Sequence, residues 1–278
     1  MHRDHLGWRR TGKAIVLTLF LAFAIFPLYW IIITSLKGQK EIFSLPIQYW
    51  PQQVTLNNYL EIFQISHFQV YIWNSFLVSL VASAMVVFIA MLGGYVLARF
   101  SFKGKRQVMF GFLVTQMIPM FIGMAPLYVM MSKMHILNSL FSLMLIYTVM
   151  LIPFCTIIMS GFFQRIPNAL EEAAMMDGCS RLSALFRVIV PIMLPGIAAT
   201  FIFAFVQCWN ELIMAVLFID EESVKTIPVA MNAFIKKYDI EWGAMSAATV
   251  LSVIPTMLLF AFCQKYLVEG LTQGAVKG

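Results

Sequence analysis

The chain has 278 residues, of which 61% are hydrophobic and only 12% charged, with a formal net charge of +6. A water-soluble domain carries about 25% charged residues, so a protein with water as its main solvent is excluded. The basic excess follows from Lys and Arg gathering on one side of a membrane and calls for no nucleic acid partner.

A helix crossing the hydrocarbon core needs about 20 apolar residues, because it rises about 1.5 Å per residue through about 30 Å. Windows 14–36, 62–98, 107–132, 134–164, 188–210 and 242–264 are free of Asp, Glu, Lys and Arg. They predict six transmembrane helices and an all-α membrane protein. The organisation read from them is a cytoplasmic N-terminus over 1–13, a first span over 14–36 and an extracytoplasmic loop over 37–68. A five-helix core follows over 70–267, interrupted by a cytoplasmic loop over 165–191, and then a cytoplasmic tail over 268–278. The first window follows Arg9, Arg10 and Lys13, as a secretory signal would. It outruns a signal's apolar region and no small-x-small cleavage site follows, so it reads as a span. Window 42–60 also lacks charge, but Pro46, Pro51, Gln52, Gln53, Asn57 and Asn58 make it a loop, since amide groups in lipid need partners within the segment.

Orientation follows from the Lys and Arg flanks. Arg3, Arg9, Arg10, Lys13, Arg99, Lys103, Lys105, Arg106, Arg165, Arg181, Arg187, Lys265 and Lys277 fall on one side. Lys37, Lys40, Lys133, Lys225, Lys236 and Lys237 fall on the other. Both termini and the 165–191 loop are therefore predicted to be cytoplasmic.

Catalytic signatures are missing from the sequence: it has no GxxxxGK[ST], GxSxG or HExxH. Cys155, Cys179, Cys208 and Cys263 show no CxxC spacing and read as packing residues. No cofactor or metal of its own is expected, and energy for any uphill movement of a solute would have to come from elsewhere.

The 165–191 loop is a polar island. Pro167 suits the first turn of a helix running to Asp177. Gly178 suits the left-handed position that closes it. Ser180 offers a cap for a second helix whose apolar positions Leu182, Leu185, Phe186 and Ile189 recur at helical spacing. Pro191 and Pro195 turn the chain back toward lipid. From periodicity alone, the resulting helix-glycine-helix hairpin is either a plain interfacial element or a docking element.

The order of residues in the hairpin resembles a known pattern. Glu172-Ala173-Ala174, three residues, Gly178, nine residues and Val188-Ile189-Val190-Pro191 is similar to the EAA loop of permease subunits in ABC importers, with Val for the usual Ile and Leu. Gly94-Tyr95-Val96-Leu97-Ala98-Arg99, Thr55-Leu56-Asn57-Asn58-Tyr59, Trp209-Asn210-Glu211 and the 270–278 terminus resemble the smaller permease subunit of maltose-type carbohydrate importers.

The resemblance implies a six-helix type I permease whose hairpin forms coupling helices in a cleft of a cytoplasmic ATPase. Glu172 would face a basic residue there, with Ala173, Ala174, Asp177, Gly178 and Pro191 completing the contact. The 274–278 tail would be a second contact. It implies as partners a second related permease, two ATPase subunits that bind ATP and Mg, and an extracytoplasmic sugar-binding protein. The whole would lie in a bacterial or archaeal cytoplasmic membrane.

Polar groups at membrane depth usually face a cavity or another helix. Asn74, Ser75, Thr115, Gln116, Gln207, Asn210, Glu211, Ser246, Thr249 and Ser252 are such groups. Asn74, Gln116, Gln207, Asn210 and Glu211, with the ring of Trp209, are the candidates for a sugar pathway. The spacing of four places Gln207 and Glu211 on one helical face. Alternatively, Asn210 and Glu211 cap the end of a span or bond neighbouring helices, and Glu211 marks a broken helix with a re-entrant continuation. An ion-driven secondary transporter is the competing class, but it calls for an inverted repeat and buried coupling charges. A permease for a polyol stays open, whereas a phosphorylated cargo is disfavoured because no Lys or Arg lies inside the spans.

Overall fold

The computed structural model describes residues 4–64, 67–232, 234 and 240–272, with side chains over 12–64, 67–232, 234 and 240–265. The chain forms two compact units, one of Met1–Gln69 with Met231–Ile254, the other of Val70–Ala230 with Pro255–Gly278.

In the first unit, α1 (Asp4–Ser35) carries a span, Gly12–Ser35. Two short helices follow, α2 (Gln39–Ile42) and α3 (Asn57–Gln64). The Thr55–Tyr59 stretch ties this outer loop down. Asn58 Nδ2 donates to the Ser35 and Lys37 carbonyls at 2.8 and 2.9 Å. Tyr59 OH lies 2.8 Å from Ser35 Oγ, and Thr55 N donates to Leu36 O at 2.9 Å. Lys37 is 3% exposed, its ammonium donating to Gln48 O beside the Trp30 ring. The loop expected over 42–60 thus gives way to a helix at Asn57.

The second unit holds α4 (Phe68–Arg99, all but its first two residues), α5 (Lys105–Met117), α6 (Met120–Lys133) and α7 (Leu140–Arg165). The hairpin follows as α8 (Asn168–Met176), α9 (Arg181–Ala184), a π-helical turn over Leu185–Ile189 and α10 (Val190–Ile192). Then come α11 (Leu194–Trp209), α12 (Ile213–Phe218) and a 3₁₀ turn over Glu222–Val224. Next come α13 (Ile227–Asn232) and α14 (Trp242–Thr272), each of which has residues in both units.

Six expected spans become four straight ones and two bent pairs. Gly12–Ser35, Phe68–Arg99, Leu140–Arg165 and Trp242–Lys265 are long and apolar enough to cross alone. Lys105–Met117 with Met120–Lys133 bends by 96°, and Arg181–Ile192 with Leu194–Trp209 by 78°. The first break has a local cause: Ile118 precedes Pro119 and sits at φ −74°, ψ 120°, because a proline disfavours the α conformation in the residue before it. The window expected to run from residue 134 becomes helix only at Leu140, after His135 and Asn138 take positive φ and Ser139 Oγ accepts from Phe141 N at 3.2 Å.

Lipid gives apolar helices no solvent-driven reason to associate, so close approach of small residues matters more here than in water. A Cβ at Gly94 would stand 2.8 Å from Ser160 N, and one at Gly196 would stand 2.6 Å from Phe162 Cγ. These two glycines let α4 and α11 lie directly against α7. The packed core between them includes Val86, Ala90, Tyr95, Cys155, Met159, Phe163, Leu185 and Ile189.

Candidate functional site

The hairpin is built as its residues dictate. Pro167 precedes the first helix as its N-cap at φ −58°, one place before the first turn where it was expected. At the other end Cys179 N donates to Ala174 O at 3.0 Å and Gly178 N to Met175 O at 3.1 Å, the paired bonds of a Schellman closure. That closure requires a left-handed residue, and Gly178 supplies it at φ +87°. Ser180 Oγ then accepts from Ser183 N at 3.3 Å to start the second helix.

The two faces of this hairpin differ. Glu172, Ala173, Met176, Asp177 and Gly178 are exposed, Met176 at 88%, and Leu182 and Phe186 continue the exposed surface. Ala174, Ala184, Leu185 and Ile189 are buried, and so is Glu171, at 5%. Met176 thus stands exposed beside the carboxylates of Glu172 and Asp177.

Glu171 is the residue that sequence reasoning missed. Its Oε2 lies 3.2 Å from Arg99 Nε, and its Oε1 accepts from the Tyr95 hydroxyl. Arg181 Nε lies 3.7 Å from the same Oε1, its guanidinium over the Phe100 ring. Arg99 Nη2 also donates to Ile166 O at 3.0 Å. One carboxylate therefore joins the end of α4 to both halves of the hairpin, and Arg99 extends the link to the carbonyl that follows α7. A buried charge survives only when paired and hydrogen-bonded, and here both conditions hold. The signal in the sequence was Tyr95 and Arg99, four apart on one face of a span's end, with an acidic doublet at 171 and 172 of which only one member was assigned a task.

The candidate pathway residues do not form one cluster. Asn74 is 5% exposed, and its Nδ2 donates to Ser223 O at 3.0 Å and Lys225 O at 2.9 Å. Ser75 Oγ accepts from Ile227 N at 2.8 Å. Gln116 and Thr115 are exposed just before the break at Pro119. Gln207 and Asn210 are exposed, with Asn210 Nδ2 bonded to Val206 O at 2.9 Å. Trp209 is 3% exposed, its ring stacked on Phe205 at 5.6 Å.

Glu211 lies past the end of α11, so it does not share a helical face with Gln207; the shared face assumed an unbroken helix. Its carboxylate instead starts α12, accepting from Met214 N at 2.9 Å and Ala215 N at 3.1 Å, and it receives the Tyr147 hydroxyl at 2.8 Å. In the first unit, Ser246 is buried, Thr249 and Ser252 half-buried. The tail contact expected at 274–278 lies outside the described residues. Among the described residues, no group of three or more His, Cys, Asp or Glu could hold a metal ion.

The chain matches a known family. Residues 90–273 match the model of the binding-protein-dependent transport system inner membrane component. The chain belongs to that family. It is 36% identical to the sulfoquinovosyl glycerol transport system permease protein SmoH of Agrobacterium fabrum, over 96% of this chain and 93% of that one. It is 37% identical to the diacetylchitobiose uptake system permease protein DasC of Streptomyces coelicolor, over 91% and 92%. It is 31% identical to the trehalose/maltose transport system permease protein MalG of Thermococcus litoralis, over 91% and 92%. Its fold is similar to that of a chain in the crystal structure of a bacterial ABC transporter involved in the import of the acidic polysaccharide alginate. That likeness has a TM-score of 0.80, 21% identity and coverage of 92% of this chain and 95% of that one. The discontinuous helices that an ion-driven carrier would also show belong here to a binding-protein-dependent system.

Proposed function

We propose that this chain is one transmembrane half of an ATP-driven importer for a sugar, most simply a di- or oligosaccharide, delivered by an extracytoplasmic binding protein. A second, related permease forms the other half of the pathway. Two cytoplasmic ATPase subunits bind ATP and Mg and drive the cycle. Both termini lie in the cytoplasm, a reading supported by the distribution of Lys and Arg in the flanks.

The observation that carries this reading is the two-faced hairpin. Its outward face presents Glu172, Ala173, Asp177 and Gly178 together with the exposed Met176 side chain. An ATPase cleft with a basic residue suits that surface: a carboxylate at its centre, small residues that admit close approach, and an apolar plug. Its inward face is fixed to α4 through Glu171 and Arg99, and Arg99 also bonds the carbonyl that follows α7, so a displacement of the hairpin is passed to the spans instead of being absorbed by a loose loop. Packed helices switch between discrete arrangements, which suits alternating access. The sugar cargo is supported by the carbohydrate names of the relatives.

Uptake of radiolabelled mono-, di- and oligosaccharides by a strain lacking this chain, against the same strain with the chain restored, tests the reading. Loss of at least one sugar, recovered on restoration, is expected. Unchanged uptake across the panel contradicts a sugar importer.

A further inference from the structure

Helix α4 is gripped at both ends by side chains of its own. Near its start, Tyr71 OH donates to Glu222 Oε2 at 2.7 Å, Asn74 Nδ2 donates to Ser223 O and Lys225 O, and Ser75 Oγ accepts from Ile227 N. Positions 71, 74 and 75 fall on one helical face, and that face holds the segment joining α12 to α13. At the last turns, Tyr95 and Arg99, again four apart, hold Glu171 of the hairpin. From residue 71 to residue 99 the helix spans about 42 Å at about 1.5 Å per residue.

The helix between these grips is continuous over 32 residues and contains no proline, whereas α1, α7 and α14 carry Pro27, Pro153 and Pro255. Its two adjacent glycines are backed by α7, where a Cβ at Gly93 would already press Thr156 Cγ2 at 3.1 Å. The held segment has a second anchor that α4 does not supply. Asn138 Oδ1 accepts from Asp220 N at 2.6 Å and Glu221 N at 3.2 Å, and Asn138 N donates to Phe218 O at 3.0 Å. A shift of α4 by about 1–2 Å, ordinary for a switching helix, cannot preserve both sets of bonds.

We propose that α4 is a rigid link between the hairpin and the 220–227 segment at its opposite end, so that the state of the hairpin sets how firmly that segment is held. Linkage makes the effect reciprocal: whatever engages the 220–227 segment biases the hairpin to the same extent. This inference rests on the reading of the hairpin as the ATPase contact. It assigns Tyr71, Ser75, Tyr95 and Arg99 as positioning residues of the coupling path.

Hydrogen exchange read by mass spectrometry on the whole complex, purified from its native host into nanodiscs, tests it with and without Mg-ATP and orthovanadate. In the wild type, amides of 222–227 should change their exchange rate by about five-fold or more on trapping, a local opening change well within the range such segments show. Tyr95→Phe and Arg99→Lys should shrink that change below about two-fold while peptide 168–178 stays protected by the ATPase. Ser75→Ala should do the same from the far end. Two results overturn the link: a wild-type segment that does not respond although 168–178 is protected, or an equal response in all three variants. If 168–178 is unprotected in the wild-type complex, the ATPase-contact reading falls, and the link with it.

Discussion

Arg99 Nε stands 3.2 Å from Glu171 Oε2, with the two side chains 8% and 6% exposed, so the last turn of one span and the first helix of the hairpin share a buried ion pair. The neighbouring Glu172, one residue along, is exposed. Two adjacent carboxylates in one acidic doublet thus have opposite duties, Glu171 inward and Glu172 outward.

That division predicts different outcomes at the two positions. Glu171→Ala leaves Arg99 buried without its carboxylate and should destabilise the chain by about 3–5 kcal/mol. Glu172→Ala should alter stability by less than about 0.5 kcal/mol, as exposed sites do, while weakening ATPase association. Thermal unfolding of the detergent-solubilised chain, set beside pull-down of the ATPase, separates them. Equal destabilisation by the two variants contradicts the assignment.

Gly178 sits at φ +87° with nothing within 4 Å of the position a Cβ would take. Its replacement therefore meets no steric neighbour in this chain, and the cost is conformational. Gly178→Ala should cost about 1–2 kcal/mol, and the β-branched Gly178→Val more, since such residues are genuine outliers in that region. ATP hydrolysis should then proceed without uptake, the chain remaining in the membrane. Sugar uptake per ATP hydrolysed is the measurement, and an unchanged ratio in Gly178→Val contradicts transmission through the hairpin.

The hairpin was legible because its rules are local. Gly178 and Ser180 act through backbone geometry within five residues of themselves, so spacing alone located the closure and the cap. Span count was legible from charge-free length, yet the 96° break at Pro119 was not, because a proline within an apolar window kinks, stops or merely interrupts a helix depending on its neighbours. The bonds of Glu171 and Asn74 were not legible for another reason. Their partners lie 72 and about 150 residues away, and nothing in local pattern reports a pairing over such separations. Glu211 shows both sides: its break was readable from the charge-free stretch over 212–219 that follows it, while its bond to Tyr147 was not.

Glu211 holds the start of α12 through two amides and also takes the Tyr147 hydroxyl. Glu211→Ala should cost about 1–3 kcal/mol by leaving buried donors unpaired. Glu211→Gln, which keeps an acceptor, should recover most of that. Melting temperatures of the two variants check the order, and a Gln variant as unstable as the Ala variant would show that the negative charge itself is needed.

Glu222 supplies a pH dependence outside the spans. Its carboxyl is held below the usual range, first by the Lys225 ammonium that it accepts from and next by the Tyr71 hydroxyl. A group whose folded pKa is depressed contributes stability that is complete above its unfolded value, about 4.3, and lost as pH falls through the folded value. The melting-temperature difference between wild type and Glu222→Gln should thus be constant from about pH 8 to pH 5 and vanish progressively below about pH 4. A difference that disappears between neutral pH and about pH 5 contradicts this assignment.

The central claim, that the hairpin is the ATPase contact, is tested most directly by co-purification. The chain is expressed with an affinity tag in its native host, solubilised gently, and its companions identified for wild type and for Glu172→Lys. The account predicts an ATPase and a second permease with the wild type, and loss of the ATPase with the permease retained in the variant. Purification of the wild-type chain alone, or an ATPase equally retained by both, would contradict it.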